Sequence, residues 1–218
     1  MLAGHYGVGF AAAFLDRRAP LWALLLATQL PDIVFAGLAL AGIEHLRLAP
    51  GTGAAVPFDP VFPYSHSLLG GCALAILVFV SARTVPRLRS PAPLLGAVVA
   101  THWFLDVPMY GSILPLYDAA ATMGLGLWAH PGFAFLLEAV VLAGGLALAL
   151  LARTDRKVIV MLGGAMAISH VAVYGIPDLI FVTPTETLLL GLGLWLGFPA
   201  AACWHPDRRR PGAPPVPG

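Results

Sequence analysis

The chain has 218 residues, of which 59% are hydrophobic and only 11% charged, and its formal net charge is +1. Soluble domains carry about 25% charged residues, so this composition excludes an ordinary soluble domain and, with a mean hydropathy of +0.85, indicates an integral membrane protein. The small net charge gives no basic field for nucleic acid. The isolated Cys72 and Cys203 form no CxxC spacing for a thiolate metal site.

Six segments are apolar for long enough to cross a bilayer, which takes about 20 residues in a helix. Residues 1–15 precede them as a shorter apolar helix that reaches only about 20 Å. The sequence therefore predicts an all-α polytopic transmembrane bundle with one domain, 1–204, and a proline-rich, charged tail at 205–218 that we expect to be disordered. The predicted spans are 19–43, 66–83, 92–117, 131–152, 157–182 and 185–204.

Basic residues mark every second connection between these spans. Of the 12 basic residues, only Arg47 falls in the other connections. Because cytoplasmic loops of membrane proteins carry the excess of Lys and Arg, we expect the basic face and the C-terminal tail to be cytoplasmic. The connections 44–65 and 118–130 are then expected outside.

Several ionisable residues fall inside the predicted spans, where a charge at the helix centre costs about 2.5–3.5 kcal/mol. Such groups face the bundle interior, pair with one another or bind an ion. Glu44 falls in a predicted connection between spans, so its charge needs none of these three explanations. The residues that need an explanation are Asp32, His102, Asp106, Glu138, His170 and Asp178.

The third predicted span contains THWFLD, residues 101–106. His102 and Asp106 are four residues apart, so they project from one helical face. They are either a hydrogen-bonded pair that ties two helices together or ligands of a metal ion. The spacing by itself leaves both interpretations open.

Three further side chains are expected near this pair, in the outer half of the bundle. His5 lies at the head of the first short helix, Asp32 in the QLPDIVF stretch of the first span, and His66 at the outer end of the second. Together with His102 and Asp106 they form a set of imidazoles and carboxylates that suits a divalent metal ion. Zinc is the first choice, and manganese or iron are alternatives.

Glu138 lies near the outer end of the fourth predicted span. In a hydrolytic site it is a candidate general base, and His5 is then a further ligand or an acid. The alternative for Glu138 is a hydrogen-bonded side chain that packs two helices together. The residues leave both roles open.

The order of short motifs resembles the YdjM-like family of inner-membrane metal-dependent hydrolases. These motifs are an N-terminal GH, LPD after one span, SHSLL, and a THxxxD helix, and they cover roughly residues 1–110. The resemblance implies a multi-helix bundle in the bacterial cytoplasmic (inner) membrane with a metal-centred hydrolytic site. Carried onto this chain, that site consists of His5, Asp32, His66, His102 and Asp106.

The resemblance fails at one place. Family members often carry a His-Arg pair shortly before the THS element, and Val61 and Phe62 stand at those positions here. A ligand and a basic group are therefore missing, which argues against a second metal ion.

The leading functional hypothesis is an integral-membrane metal-dependent hydrolase that acts on a lipid or a lipid-linked ester or phosphoester. The bilayer is the only partner that the sequence indicates. The alternative is a transporter in which the same His and Asp residues relay protons or bind the transported ion. A third possibility is a scaffold whose polar groups only specify helix pairing. The apolar cytoplasmic halves of the spans favour a one-sided site.

Overall fold

The computed structural model describes residues 1–48, 57–117, 120–152 and 155–204. The tail 205–218, which the sequence predicts to be disordered, lies outside these residues. The described chain is almost entirely helical, in agreement with the predicted all-α class. Its helices are α1 (Gly4–Leu15), α2 (Leu21–Leu40), α3 (Leu68–Thr84), α4 (Ala92–Asp106), α5 (Pro131–Ala152), α6 (Arg156–Gly175), α7 (Pro177–Ile180) and α8 (Pro184–Trp204).

Two short antiparallel hairpins interrupt the helices. Strand β1 (His45–Leu48) pairs with β2 (Phe58–Val61), with His45 opposite Val61. Strand β3 (Leu114–Pro115) pairs with β4 (Thr122–Met123). The first hairpin lies in the connection 44–65 that the sequence predicts to be outside. In the second, β4 lies in the predicted outer connection 118–130, whereas β3 falls within the predicted span 92–117.

Four helices are long and apolar enough to cross a membrane: α2, α5, α6 and α8. The shorter α3 has 17 residues, α4 has 15 and α1 has 12. At about 1.5 Å per residue, these three reach roughly 18–26 Å, less than the hydrocarbon core. The described residues therefore support four of the predicted spans by length, while two predicted spans and the N-terminal segment are shorter helices.

The predicted span 92–117 extends too far, because α4 ends at Asp106. Pro108 has no backbone N–H to continue the helix, and the Asp106 carbonyl accepts hydrogen bonds from Met109 and Tyr110 in a turn instead. The apolar residues beyond this point lie in a connection that is buried in part: Met109 and Leu114 have no exposed surface, whereas Ile113 and Tyr117 are exposed. In the stretch after Asp106, the high hydropathy therefore reflects a partly buried connection and does not indicate a longer helix.

Helix α1 packs against α5, and the two backbones touch. A Cβ atom added to Gly145 would collide with the backbone of Gly7, and one added to Gly7 would collide with the backbone of Val141. Close crossings of this kind are typical of small residues in membrane helices. The contact fixes where α1 lies on α5.

The bundle has two chemically different ends. The basic end is where α1 ends before Arg18, α3 ends near Arg83 and α6 begins near Lys157; its core is apolar, with Ala12, Ala13, Leu24, Ala75, Leu95 and Val99 among its buried residues. The site end is where α1, α3 and α5 begin and where α2 and α4 end. The buried polar residues described below belong to this second end.

Candidate metal centre

The structure brings together the five side chains that the sequence predicts as metal ligands. His5 comes from α1, Asp32 from α2, His66 from the turn before α3, and His102 and Asp106 from α4. All five are buried, with at most 9% of each residue exposed. They contribute two groups of three, His5–Asp32–His102 and His66–His102–Asp106, and within each group the ligand atoms lie within 4.8 Å of one another.

Each imidazole has its Nε2 atom close to a carboxylate. His66 Nε2 lies 3.2 Å from Asp32 Oδ1, and His5 Nε2 lies 3.2 Å from Asp106 Oδ1. His102 Nε2 lies between the two acids, 3.3 Å from Asp106 Oδ2 and 3.7 Å from Asp32 Oδ1. The cluster is therefore one connected group of ligand atoms.

The backbone of α2 fixes the orientation and the tautomer of His102. Its Nδ1 lies 2.7 Å from the carbonyl oxygen of Thr28, and because a carbonyl only accepts, Nδ1 carries the proton. Within the described residues, Nε2 has no hydrogen-bond partner. A lone pair that faces two carboxylates is repelled unless a cation lies between them, and a histidine held through its other nitrogen is the usual support of a metal ligand.

Protonation of both stacked imidazoles is a poor way to supply that positive charge. The rings of His5 and His102 are parallel within 9°, and their centroids are 3.7 Å apart. Two imidazolium rings at this distance would repel each other. Since His102 offers only Nε2, it can bind one ion, and the two overlapping groups share this ligand.

Glu44 and the serines around it position His66. Glu44 is fully buried, and its Oε1 accepts hydrogen bonds from the backbone N–H groups of Tyr64 (2.8 Å) and Ser65 (3.0 Å). Ser65 Oγ lies 2.9 Å from His66 Nδ1. The loop explanation of Glu44 was therefore wrong, because this carboxylate holds the turn that carries a candidate ligand.

Phe62 stands where the resemblance expects a basic group. It is buried, and its ring lies 4.8 Å from that of His66 and 6.0 Å from that of Phe35. Val61 is 40% exposed at the end of β2. An aromatic wall thus borders the cluster at this position.

Glu138 lies outside both groups of ligand atoms among the described residues. Its Oε2 accepts hydrogen bonds from the backbone N–H groups of Leu2 (2.8 Å) and Gly4 (3.1 Å), and its Oε1 accepts one from the Tyr174 hydroxyl (2.9 Å). A carboxylate at a helix N-terminus satisfies unpaired backbone donors. These contacts match the predicted alternative of a side chain that packs helices, and they hold the start of α1 next to His5.

His170 is also accounted for by packing. It is buried in α6, its Nε2 lies 3.1 Å from the Phe135 carbonyl oxygen, and its ring stacks on Phe135 at 4.5 Å. The side chain of Asp178 lies outside what the structure describes. The sequence-predicted cluster is thus limited to its five members.

Two neighbours of the cluster escaped the sequence analysis. The amino group of Met1 contacts Asp106. Tyr110 is 9% exposed, and its ring lies 6.4 Å from that of His66. The only signal for Tyr110 was its position four residues after Asp106, which continues the polar stripe of His102 and Asp106 beyond the helix.

A cavity of about 100 Å³ reaches the cluster from one side. Asp32 and Tyr110 line it at the cluster, and most of the remaining wall is formed by apolar side chains, chiefly from α1, α2, α6 and α8. Its other polar members include Ser169, His170 and Thr187. Asp32 is the only carboxylate on that wall among the described residues. The ligand cluster is therefore accessible from an apolar space.

The fold and the cluster define a helical protein with four candidate membrane-spanning helices and a buried His/Asp site that could hold a metal ion. Comparison with protein-family models, curated proteins and solved structures gives no match.

Proposed function

We propose that the protein is an integral-membrane hydrolase that uses one divalent metal ion, zinc in the first instance. The observation that carries the proposal is the buried cluster of five potential ligands, in which His102 Nδ1 is held by the Thr28 carbonyl. Its Nε2 is thereby directed at two carboxylates. The motif order of the YdjM-like family supports the same assignment.

In this scheme Asp32, His66, His102 and Asp106 hold the ion, and His5 is a further ligand or an acid. A divalent ion bound there would supply Lewis acidity toward a carbonyl or phosphoryl oxygen. His5 Nδ1 has no hydrogen-bond partner within the described residues, so this nitrogen is free to exchange a proton with a leaving group. The surrounding apolar residues exclude bulk water, which strengthens each of these interactions.

We propose a lipid or a lipid-linked ester or phosphoester as the substrate, and the bacterial cytoplasmic membrane as the location. The cluster lies at the end of the bundle opposite the basic connections. By the positive-inside rule this is the outer side, with the C-terminus in the cytoplasm. A substrate that reaches the cluster through the apolar cavity must itself be largely apolar.

The core of the basic end argues against the transporter alternative. A transport path needs polar groups through both halves of the membrane. The packed core described there consists of alanine, leucine and valine side chains. Among the described residues, the buried ionisable side chains belong to the site end, and the buried Thr28 and Gln29 in the other half of α2 are uncharged. This distribution is expected for a reaction centre that is open to one side.

Metal analysis of purified protein tests the proposal. We expect the wild type to contain about one zinc, manganese or iron ion per chain, and His102→Ala to contain only background metal. His130→Ala is the matched control, because His130 is exposed outside the cluster, and it should keep the metal. A metal-free wild type after purification without chelators, and after incubation with these ions, would overturn the proposal. Bound metal accompanied by ion flux into vesicles, without hydrolysis of lipid esters, would favour a transporter.

A further inference from the structure

The wall of the cavity beside Asp32 is built for an apolar chain. Apolar and aromatic side chains from four helices line it, namely Tyr6 of α1, Phe35 of α2, and Met166, Leu188 and Leu194 of α6 and α8. The lining thus combines one carboxylate of the proposed metal centre with a mostly apolar wall, in which Ser169, His170 and Thr187 are further polar members. A ligand that fits it has one reactive polar end and an apolar body.

The lining of the cavity reaches the surface of the bundle at α6 and α8. Among its lining residues, Leu190 on α8 is exposed and Ser169 on α6 is half-buried. The same helices present further apolar side chains outward, such as Ile168 (72% exposed) and Leu189 (55% exposed). An apolar surface of this kind on a membrane helix is covered by acyl chains, so acyl chains of the bilayer lie next to the exposed part of the lining.

We propose that this cavity binds one acyl chain of a bilayer lipid, which enters sideways between α6 and α8 and places its ester end at Asp32. The proposal rests on the proposed function and names the substrate class and its route. The volume of about 100 Å³ is smaller than the cavity of about 150 Å³ that admits benzene in another protein. It therefore accommodates the part of the chain next to the ester, while the remainder lies between the two helices.

The dimensions exclude the occupant that competes most directly, a helix of a partner protein. An α-helix with its side chains is about 10–12 Å across, too thick for a space of about 100 Å³. The bilayer, in contrast, presents acyl chains at the opening without any further binding event.

Photolabelling in vesicles tests the proposal. The protein is reconstituted in phosphatidylcholine and phosphatidylglycerol vesicles that contain a phosphatidylcholine with a diazirine on one acyl chain, and labelled positions are mapped by mass spectrometry. We expect label on Met166 and Leu188, which are 1% and 5% exposed and are reached only through the cavity.

Two glycines of α8 provide a matched pair of variants. Gly191 lines the cavity, and a Cβ there would press on the Trp195 ring, whereas Gly193 is exposed with nothing within 4 Å of its Cβ position. Because added bulk fills the space, Gly191→Leu should reduce labelling of Met166 and Leu188 by about tenfold. Gly193→Leu should leave it unchanged.

A second pair covers the case in which Gly191→Leu does not fold. Ser169→Phe closes the cavity from the α6 side, and Ile168→Phe, one position away on the outer face, is its control. Label confined to outward-facing residues such as Ile168, or equal labelling of Met166 in Ser169→Phe and Ile168→Phe, would refute the proposal.

Metal content measured on the same samples separates the acyl-chain proposal from the proposed function. Bound metal without cavity labelling refutes only the acyl-chain site, and labelling without bound metal refutes only the metal-dependent function.

Discussion

At the scale of single residues, the His102 ring is held between a backbone carbonyl and two acids. The Thr28 carbonyl determines which nitrogen carries the proton, and Asp32 and Asp106 supply the negative charge on the other side. A hydrogen-bonded pair that ties helices would need a proton between nitrogen and carboxylate. A metal site needs the lone pair of the His102 nitrogen at that position. The two interpretations therefore predict different metal contents for a variant that lacks the pair.

The double variant His102→Leu, Asp106→Leu separates them. Replacement of a buried ionic pair by apolar groups is often neutral or stabilising by about 1–4 kcal/mol, so we expect a folded bundle. Its Tm should be lower than that of the wild type, because the buried Met1 amino group and His5 lose Asp106 as a partner. Bound metal should fall to background. Full metal content in the double variant would show that this pair contributes no ligand.

Glu138 gives a second prediction at this scale. As the acceptor for Leu2 and Gly4 N–H groups, it acts as an N-terminal cap, whose removal costs about 0.5–2 kcal/mol. We expect Glu138→Ala to lower the Tm and to weaken metal binding about tenfold, because His5 on the first turn of α1 loses its position. Glu138→Gln keeps an acceptor oxygen and should retain most of the metal affinity.

A different result would restore the catalytic role of Glu138. If Glu138 is the general base, Glu138→Gln should bind metal and unfold as the wild type does, yet lose hydrolysis of a lipid ester by a factor of about 10²–10⁴. Metal titration, thermal unfolding and an ester assay on the same preparation distinguish the two roles.

At the scale of elements, the crossing of α1 and α5 determines whether His5 reaches the cluster. The two helices meet backbone to backbone at Gly7 and Gly145, which lie between the Glu138 cap and the basic end. Adjacent glycines on α5 therefore have very different surroundings. A Cβ on Gly145 would collide with α1, and one on Gly144 would meet nothing within 4 Å.

This contrast predicts opposite outcomes for two chemically identical substitutions. Gly145→Leu should destabilise the protein by at least about 1–3 kcal/mol, the usual cost of overpacking, because the colliding atoms belong to the backbone and cannot rotate away. It should also weaken metal binding as α1 is displaced. Gly144→Leu should leave both properties unchanged. Equal Tm values for the two variants in detergent would contradict the observed crossing.

At the scale of the whole molecule, the separation of a basic end from a polar, buried site end predicts the orientation in the membrane. Leu125 lies in a connection at the site end and is 78% exposed, and Val85 lies beside Arg83 at the basic end and is 44% exposed. In a background where the exposed Cys72 and Cys203 are replaced by serine, Leu125→Cys should react with an impermeant maleimide added to intact cells. Val85→Cys should react only after the cells are opened. The reverse pattern would place the site end in the cytoplasm.

The helical class and the members of the cluster could be predicted from the sequence because each rests on a local signal. Composition and apolar runs report burial in lipid or protein, and the cost of ionisable groups in such runs singles out Asp32, His102 and Asp106. The lengths of the helices could be predicted less well from the sequence. Residues after Asp106 are as apolar as a span, but they fold into a partly buried connection, and no periodicity distinguishes the two.

The sequence by itself therefore determined three properties. They are the apolar surroundings that the composition requires, the helical class, and the residue types that gather at one end of the bundle. Only the tertiary structure decided how they are held: the Thr28 carbonyl on His102, the buried Glu44 that positions His66, and the cap of Glu138 on α1. It also decided the apolar cavity that reaches Asp32. These features depend on atoms distant in the chain, many of them backbone atoms that every residue possesses, and therefore leave no mark in the order of side chains.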